Sequence, residues 1–223
     1  MPRKQRDHEY RDGPLESALR ALARALDSTG VPWTVIGGVA VIARGVRRMT
    51  TDVDAVIAAG EIDYGAVVRA LAAHAISPRT ADAEEFARTN LVLLLQHGSG
   101  VEIDVSFGWT EFERDAIEMS TVAAFGSVRT RMARADELVV FKAIAGRPKD
   151  LEDASSLLLM HPSIDVDAVR RRVAELAMLA EAPELVAGLD AIVAASRAAR
   201  PEATTAAAKI GVGAPRPPAK RRR

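Results

Sequence analysis

The chain has 223 residues, which is enough for one compact domain or for a domain with a small helical lobe. It contains no cysteine, which excludes disulfides, thiolate zinc sites and a cysteine nucleophile. No run of about 18 apolar residues is present, and the charged first residues lack the apolar stretch of a secretory signal. We therefore expect a cytoplasmic protein with no membrane partner.

The net charge is zero, but the charge is unevenly distributed along the chain. Six basic residues and no acidic residue occur from Lys209 onward, so residues 1–208 carry 24 basic and 30 acidic side chains, or about −6. We expect that such a body does not bind polyanions in general. Residues 1–13 and the basic tail 200–223 lack an apolar period, and we predict that both are flexible.

The first predicted helix begins at Pro14 and ends at Gly30. A strand from Trp33 to Ile36 follows and leads into the diglycine Gly37-Gly38 and a short apolar helix, residues 39–44. Because glycine has no side chain, backbone N–H groups here can approach a phosphate closely, at the start of a helix whose dipole favours an anion.

The next predicted strand carries Asp52 and Asp54 after a basic loop. Residues two apart on a strand face the same side, so the two carboxylates lie together. They repel one another unless a cation lies between them, and a hard ion such as Mg²⁺ suits such oxygen ligands. A metal-binding strand beside a phosphate-binding turn predicts phosphoryl or nucleotidyl transfer.

A hairpin of two strands is predicted further along. Residues 90–96 form a near-continuous apolar run, typical of a strand that is buried on both faces. Pro78 is placed in the loop before it, after a helix over residues 62–73. Val101 to Val105 alternates between apolar and polar residues, which places Asp104 on a polar face.

The last third of the chain is predicted to hold a second hairpin and then helices. The hairpin strands are Thr121 to Phe125 and Val128 to Met132, around Gly126-Ser127. The predicted helices run from Asp136 to about residue 145, from near Pro148, from Asp165 to Leu179 and from Glu184 to Ser196.

The motif Arg48-x-Thr50-x-Asp52-x-Asp54, downstream of the diglycine, resembles the signature of polymerase-β-like nucleotidyltransferases. Over roughly residues 15–180 the chain most resembles the AbiEii-type toxin nucleotidyltransferases of type IV toxin–antitoxin systems. The resemblance implies an α/β fold of the polymerase-β-like kind: a mixed sheet with flanking helices, plus a C-terminal helical lobe. The core would comprise residues 14–133 and the lobe residues 134–199.

The resemblance also implies roles for individual residues. Asp104 would join Asp52 and Asp54 in holding Mg²⁺, with Mn²⁺ as an alternative, because a site with two metal ions needs a further oxygen ligand. Lys142 precedes Arg147, Lys149, Asp150 and Asp153, as in the AbiEii-type group. Lys142 would contact the phosphates of a nucleoside triphosphate (NTP), and Asp150 would act as a base or position Lys142. The other predicted phosphate-binding residues are Gly37, Gly38, Arg48 and Thr50.

Some of these residues have plain structural interpretations. Arg48, with Arg47, is as well explained by a solvated loop as by phosphate binding, and acids such as Asp150 in a first helical turn complement the helix dipole. Many nucleotidyltransferases carry Gly-Ser where this chain has Gly37-Gly38. The phosphate-binding hydroxyl is therefore missing, which leaves the choice of nucleotide open.

The predicted activity is metal-dependent transfer of a nucleotidyl group from an NTP to an acceptor hydroxyl. By resemblance, the enzyme would be toxin-like, with a cognate antitoxin, and would act on tRNA 3′ ends. A second interpretation is a small-molecule nucleotidyltransferase of the aminoglycoside type, since an acidic body suits a cationic substrate better than tRNA. A third is a catalytically idle member that binds nucleotide or a partner.

Overall fold

The computed structural model describes residues 12–60 and 62–199, and these form nine helices and seven strands. The helices are α1 (Pro14–Thr29), α2 (Gly37–Ala43), α3 (Tyr64–Ala72), α4 (Ala83–Asn90), α5 (Glu111–Glu118), α6 (Ala135–Ala145), α7 (Pro148–Met160), α8 (Val166–Leu179) and α9 (Glu184–Ala199). The strands are β1 (Trp33–Ile36), β2 (Asp52–Ala58), β3 (Ile76–Pro78), β4 (Val92–His97), β5 (Glu102–Gly108), β6 (Thr121–Phe125) and β7 (Val128–Met132). The predicted flexible segments fall outside the described residues, except for Asp12 and Gly13.

The strands form one mixed sheet in the order β3-β4-β5-β2-β1-β7-β6. The central strand β2 pairs parallel with β5 and antiparallel with β1. Helices α6 to α9 follow the sheet in sequence, and α6 packs against both α7 and α8. The predicted α/β architecture, with a mixed sheet, flanking helices and C-terminal helices, is confirmed.

Helix α1 shows how the sequence forms the core. Pro14 starts the helix, and Gly30 ends it in the left-handed region at φ 70°. Between them Leu19, Leu22 and Leu26 recur at helical spacing and are fully buried. The helix packs against α3, β2 and β7, so its apolar stripe covers the strands that carry the site.

Two predictions for the segment before β5 are wrong in detail. Pro78 does not lie in a loop but ends the edge strand β3, a position that proline tolerates because one side of an edge strand needs no ladder hydrogen bonds. Asn90 belongs to α4, and the following strand starts at Val92. On that strand Leu93 and Leu95 are fully buried whereas their neighbours are not, so β4 is not equally buried on both faces.

The two tryptophans lie at the same end of the central strands of the sheet. Trp33 begins β1 and Trp109 follows β5, while the register pairs Trp33 with Ile57 and Ile57 with Phe107. Trp33 is 5% exposed and its Nε1 donates to Asp27, whereas Trp109 is 57% exposed. At the opposite end of these strands, β1 ends and β2 and β5 begin. Within the described part of the chain, no helix is long and apolar enough to cross a membrane.

Candidate active site

Three aspartates meet at the edge of the sheet where β1 ends and where β2 and β5 begin. The register of the parallel pair β2–β5 places Asp54 directly beside Asp104, and Asp52 beside Glu102. On the other side of β2, Asp54 pairs with Ile36, the last residue before the diglycine. The structure thus brings together Asp52, Asp54 and Asp104, which we call the carboxylate edge.

Because Gly37 and Gly38 have no side chains, the side chains of Asp54 and Thr50 can lie close to their backbone. Gly37 has φ 64°, and a Cβ built on it would lie 1.8 Å from Oδ2 of Asp54. A Cβ on Gly38 would lie 2.3 Å from Oγ1 of Thr50. The two glycines form the first turn of α2, whereas the sequence placed the helix start after them, and the Gly38 N–H bonds to Asp54. Glycine is required here because the carboxylate edge approaches the backbone closely.

The carboxylates in this edge carry unbalanced negative charge. Burial, with the neighbouring charges of Asp52 and Asp104, raises the pKa of Asp54 to about 6, although Lys142 and the Gly38 N–H act in the opposite direction. Burial also raises the pKa of Asp104, against the effect of the Arg79 guanidinium. Acids that repel one another in this way are poised to accept a cation.

Arg79 is a site residue that the sequence analysis missed. Its Nη2 donates to Oδ1 of Asp104 at 2.6 Å, and its Nη1 lies 3.3 Å from Oε2 of Glu102. Its Nε donates to the carbonyl of Leu95 on β4, which fixes the direction of the guanidinium. No motif spacing could have found Arg79, because its contact with Asp104 depends on the pairing of β3, β4 and β5.

The donor set suits a hard divalent ion, since all three side chains at the carboxylate edge offer oxygen atoms. Asp52 accepts a hydrogen bond from Oγ1 of Thr50 at 2.7 Å, which orients one carboxylate. As placed, the described residues do not gather three ligating side chains into one closed cluster. Asp104 is instead held by Arg79, so Mg²⁺ or Mn²⁺ would compete with this guanidinium for the third ligand.

A second charged group lies between the loop before β2 and helices α6 and α7. The Nζ of Lys142 is 2.7 Å from Oδ1 of Asp150 and 3.0 Å from Oδ2 of Asp153, and all three residues are buried. Arg147 pairs with Asp150, and Arg48 pairs with Asp153. We call these five residues the helical ion network.

Asp150 in this network is stabilised in its charged form. Burial alone would raise the pKa of Asp150, but hydrogen bonds from Arg147 and Lys142 hold it below the usual range. An aspartate with a depressed pKa accepts protons poorly near neutral pH. Both roles of Asp150 stay predictions, and its bonds to Lys142 and Arg147 are those that positioning requires.

The family model described as nucleotidyltransferase of unknown function (DUF6036) matches residues 15–186. The chain belongs to this family. No curated protein gives a significant match to this nucleotidyltransferase.

Solved structures of similar fold include two of ANT(2'')-Ia. The solution structure of this antibiotic-resistance factor has a TM-score of 0.51 and 16% identity, and the match covers 74% of this chain and 92% of that chain. The crystal structure of ANT(2'')-Ia with adenylyl-2''-tobramycin has a TM-score of 0.48 and 16% identity, covering 70% and 93%. JHP933 from Helicobacter pylori has a TM-score of 0.45 and 14% identity, covering 82% and 90%. The predicted nucleotidyltransferase fold is confirmed, whereas the narrower AbiEii assignment receives no support from these matches.

The predicted site residues of this nucleotidyltransferase thus fall into two adjoining groups. The first lies at the carboxylate edge and comprises Gly37, Gly38, Thr50, Asp52, Asp54 and Asp104. The second lies in the helical ion network and comprises Arg48, Lys142 and Asp150. The charge of Lys142 lowers the pKa of Asp54, and the charges of Asp54 and Asp52 act on Arg147, so the two groups influence one another.

Proposed function

We propose that this protein transfers a nucleotidyl group from an NTP to a hydroxyl of a small-molecule acceptor, with release of pyrophosphate. The observation that carries the proposal is the pairing of Asp54 with Asp104 on neighbouring strands, beside Asp52 and the Gly37–Gly38 turn. This arrangement occurs in a member of a nucleotidyltransferase family. A buried Asp54 beside two further carboxylates suits a reaction that depends on positioning and electrostatic stabilisation.

The residues of the carboxylate edge would hold Mg²⁺ or Mn²⁺ through Asp52, Asp54 and Asp104. When bound, the ion would neutralise negative charge on the transferred phosphate. Thr50 orients the carboxylate of Asp52 through its hydrogen bond. The Gly37–Gly38 backbone remains a predicted phosphate contact beside the bound ion, and the helical ion network provides the nearby positive charge.

The acceptor class rests on charge. Residues 1–208 carry about −6, which disfavours a polyanionic acceptor such as tRNA. The exposed carboxylate of Glu102 lies beside Asp52 and, with the three aspartates, gives four acids near the cation Arg79. The fold is shared with ANT(2'')-Ia, whose structure was solved with adenylyl-2''-tobramycin, a nucleotidylated cationic small molecule. A hydroxylated, cationic small molecule is therefore the acceptor that we propose.

The toxin-like activity on tRNA, with a cognate antitoxin, stays a prediction from the AbiEii resemblance. The family and the solved structures named above give no support to a toxin, an antitoxin or a tRNA acceptor. For this reason the tRNA acceptor takes second place here.

The test is transfer of label from each α-labelled NTP, with Mg²⁺, to a panel of cationic hydroxylated compounds and separately to total tRNA. Label in a small compound that disappears with Asp54→Asn supports the proposal. Label in RNase-sensitive material instead supports the tRNA acceptor. No label in either, with NTP binding intact, indicates a catalytically idle binder and overturns the proposed reaction.

A further inference from the structure

The helical ion network ends in an arginine that is exposed although its partner is buried. The side chain of Arg147 is 62% exposed, whereas that of Asp150 is 0% exposed. Within the described part of the chain, Arg147 donates a side-chain hydrogen bond through its Nε, to Asp150. An arginine guanidinium has five N–H groups, so its Nη groups remain available to a ligand while Asp150 fixes the direction of the side chain.

Lys142 is placed differently. Its side chain is only 8% exposed, and its Nζ lies within hydrogen-bond distance of both Asp150 and Asp153. Its ammonium donates to Asp150 and forms an ion pair with Asp153. To contact a phosphate, Lys142 would have to give up one of these buried ion pairs, which is unfavourable.

Arg48 forms the other end of the network. Its Nη1 pairs with Asp153 and its Nε donates to the carbonyl of Met49. Its guanidinium carbon lies 3.5 Å from the position that a Cβ on Gly38 would take, so it borders the start of α2. Arg147, at the other end, is subject to the charges of Asp54 and Asp52. The Arg48 guanidinium therefore lies beside the start of α2, and Arg147 lies at the other end of the same ion network.

The helical ion network has one more positive than negative charge, and a bound polyanion would neutralise this excess. Three cations, Arg48, Lys142 and Arg147, oppose two carboxylates, Asp150 and Asp153. The cations at the two ends are arginines, whose planar groups bind phosphate oxygens through paired hydrogen bonds. The cation at the centre is the compact lysine, which suits the space between two acids.

We infer that Arg147 and Arg48 bind the triphosphate of the nucleotide from two sides, and that Lys142 is a positioning residue. In this arrangement Lys142 holds Asp150 and Asp153, and each of these carboxylates directs one arginine. The inference rests on the proposed function, because it presumes that an NTP is the donor. It assigns a phosphate-binding role to Arg147, which the motif alone did not distinguish from its neighbours.

The test is binding of inorganic tripolyphosphate, and of ATP, GTP, CTP and UTP, to the full chain with Mg²⁺, by titration calorimetry. Arg147→Ala is expected to weaken binding about tenfold or more, since a charged hydrogen bond is lost, and Arg147→Lys by less. Arg170→Ala is the matched control, because Arg170 is also an exposed arginine whose Nε pairs with an aspartate, Asp190. Arg170→Ala should bind as the wild type does.

The role of Lys142 is tested by a double-mutant cycle. If Lys142 acts through Arg147 and Arg48, then Lys142→Met should weaken tripolyphosphate binding much less in a background in which both arginines are alanine than in the wild type. If Lys142 contacts the phosphates itself, the two losses should add. Asp150→Asn, which keeps the shape of the side chain, is the second variant should Lys142→Met fail to fold, and its effect should likewise disappear once Arg147 is alanine.

The outcomes separate the inference from the proposed function. Equal tripolyphosphate affinity of Arg147→Ala and the wild type overturns the two-arginine site. Weakened binding in Arg147→Ala, with no acceptor labelled by the wild type, upholds the site and overturns the reaction. A wild type that binds neither tripolyphosphate nor any NTP overturns both.

Discussion

The carboxylate edge and the helical ion network adjoin one another but differ in how far nearby cations balance their carboxylates. At the edge, Asp54 faces Asp104 with Asp52 beside it, and the pKa of Asp54 is raised. In the network each carboxylate has cations within bonding distance, and the pKa of Asp150 is lowered. The contrast teaches that burial alone does not mark a functional acid. What distinguishes the edge is burial without sufficient compensating charge, which reduces stability and favours cation binding.

The largest expected effect comes from removing the central cation of the network. Lys142→Met leaves Asp150 and Asp153 without their shared cation in a buried place, so we expect a loss of about 3–5 kcal/mol in the free energy of unfolding. Arg170→Ala, which breaks an exposed ion pair with Asp190, should lose far less. Urea denaturation measures both, and similar losses would contradict the contrast between buried and exposed pairs.

Neutralising the carboxylate edge should have the opposite sign. The pKa of Asp54 is about 6 in the folded state against an ordinary value of 3.8, so the folded state binds the proton more tightly. The stability of the wild type therefore falls as pH rises from about 4 to about 6, and Asp54→Asn should be more stable at neutral pH, by up to about 3 kcal/mol.

Thermal denaturation without divalent ions measures this gain, which should shrink as the pH approaches about 4. A difference between Asp54→Asn and the wild type that does not change with pH would show that the buried charge of Asp54 is not its cause. The same variant should lose metal-dependent transfer, so that stability and activity change in opposite directions.

Gly37→Ala and Gly30→Ala separate backbone strain from crowding at the edge. Both glycines have positive φ, 64° and 70°, but an added Cβ meets Oδ2 of Asp54 at Gly37 and nothing within 4 Å at Gly30. Gly37→Ala should therefore be less stable than Gly30→Ala by about 2 kcal/mol, the size of an overpacking penalty. Equal losses in thermal unfolding would mean that Asp54 moves aside without cost.

Arg79→Ala should have the smallest effect on stability. The pair with Asp104 is partly exposed, so we expect a change of about 1 kcal/mol or less in the free energy of unfolding. The guanidinium lowers the pKa of Asp104, so its removal should raise that pKa further. NMR titration of the carboxyl carbon measures this, and an unchanged pKa would mean that Arg79 does not hold Asp104 in solution.

The sequence predicted the carboxylate edge better than its surroundings. Strand alternation placed Asp52 and Asp54 together and put Asp104 on a polar face, whereas the family resemblance joined Asp104 to that pair. Helix α5 was missed although Thr110 and Glu113 form a capping box, a local signal that was available. Arg79 was out of reach, since it meets Asp104 only through the pairing of three strands.

The helical ion network shows a different limit of sequence analysis. The motif named Lys142 and Asp150, but their spacing did not reveal that both are buried and bonded to one another. Whether a lysine faces a ligand or a carboxylate depends on how α6 and α7 pack, which a single sequence does not specify. The same packing makes Arg147, and not Lys142, the exposed cation.

The position of the two tryptophans makes intrinsic fluorescence a probe of conformational change in this protein. Trp33 and Trp109 lie at the edge of the sheet away from Gly37 and Asp104, about 13–17 Å along the strands. A phosphate group at the carboxylate edge would lie beyond contact with either indole. A change in intrinsic fluorescence on adding tripolyphosphate would therefore signal a rearrangement transmitted across the sheet. The exposed Trp109 should be quenched by iodide far more readily than the buried Trp33.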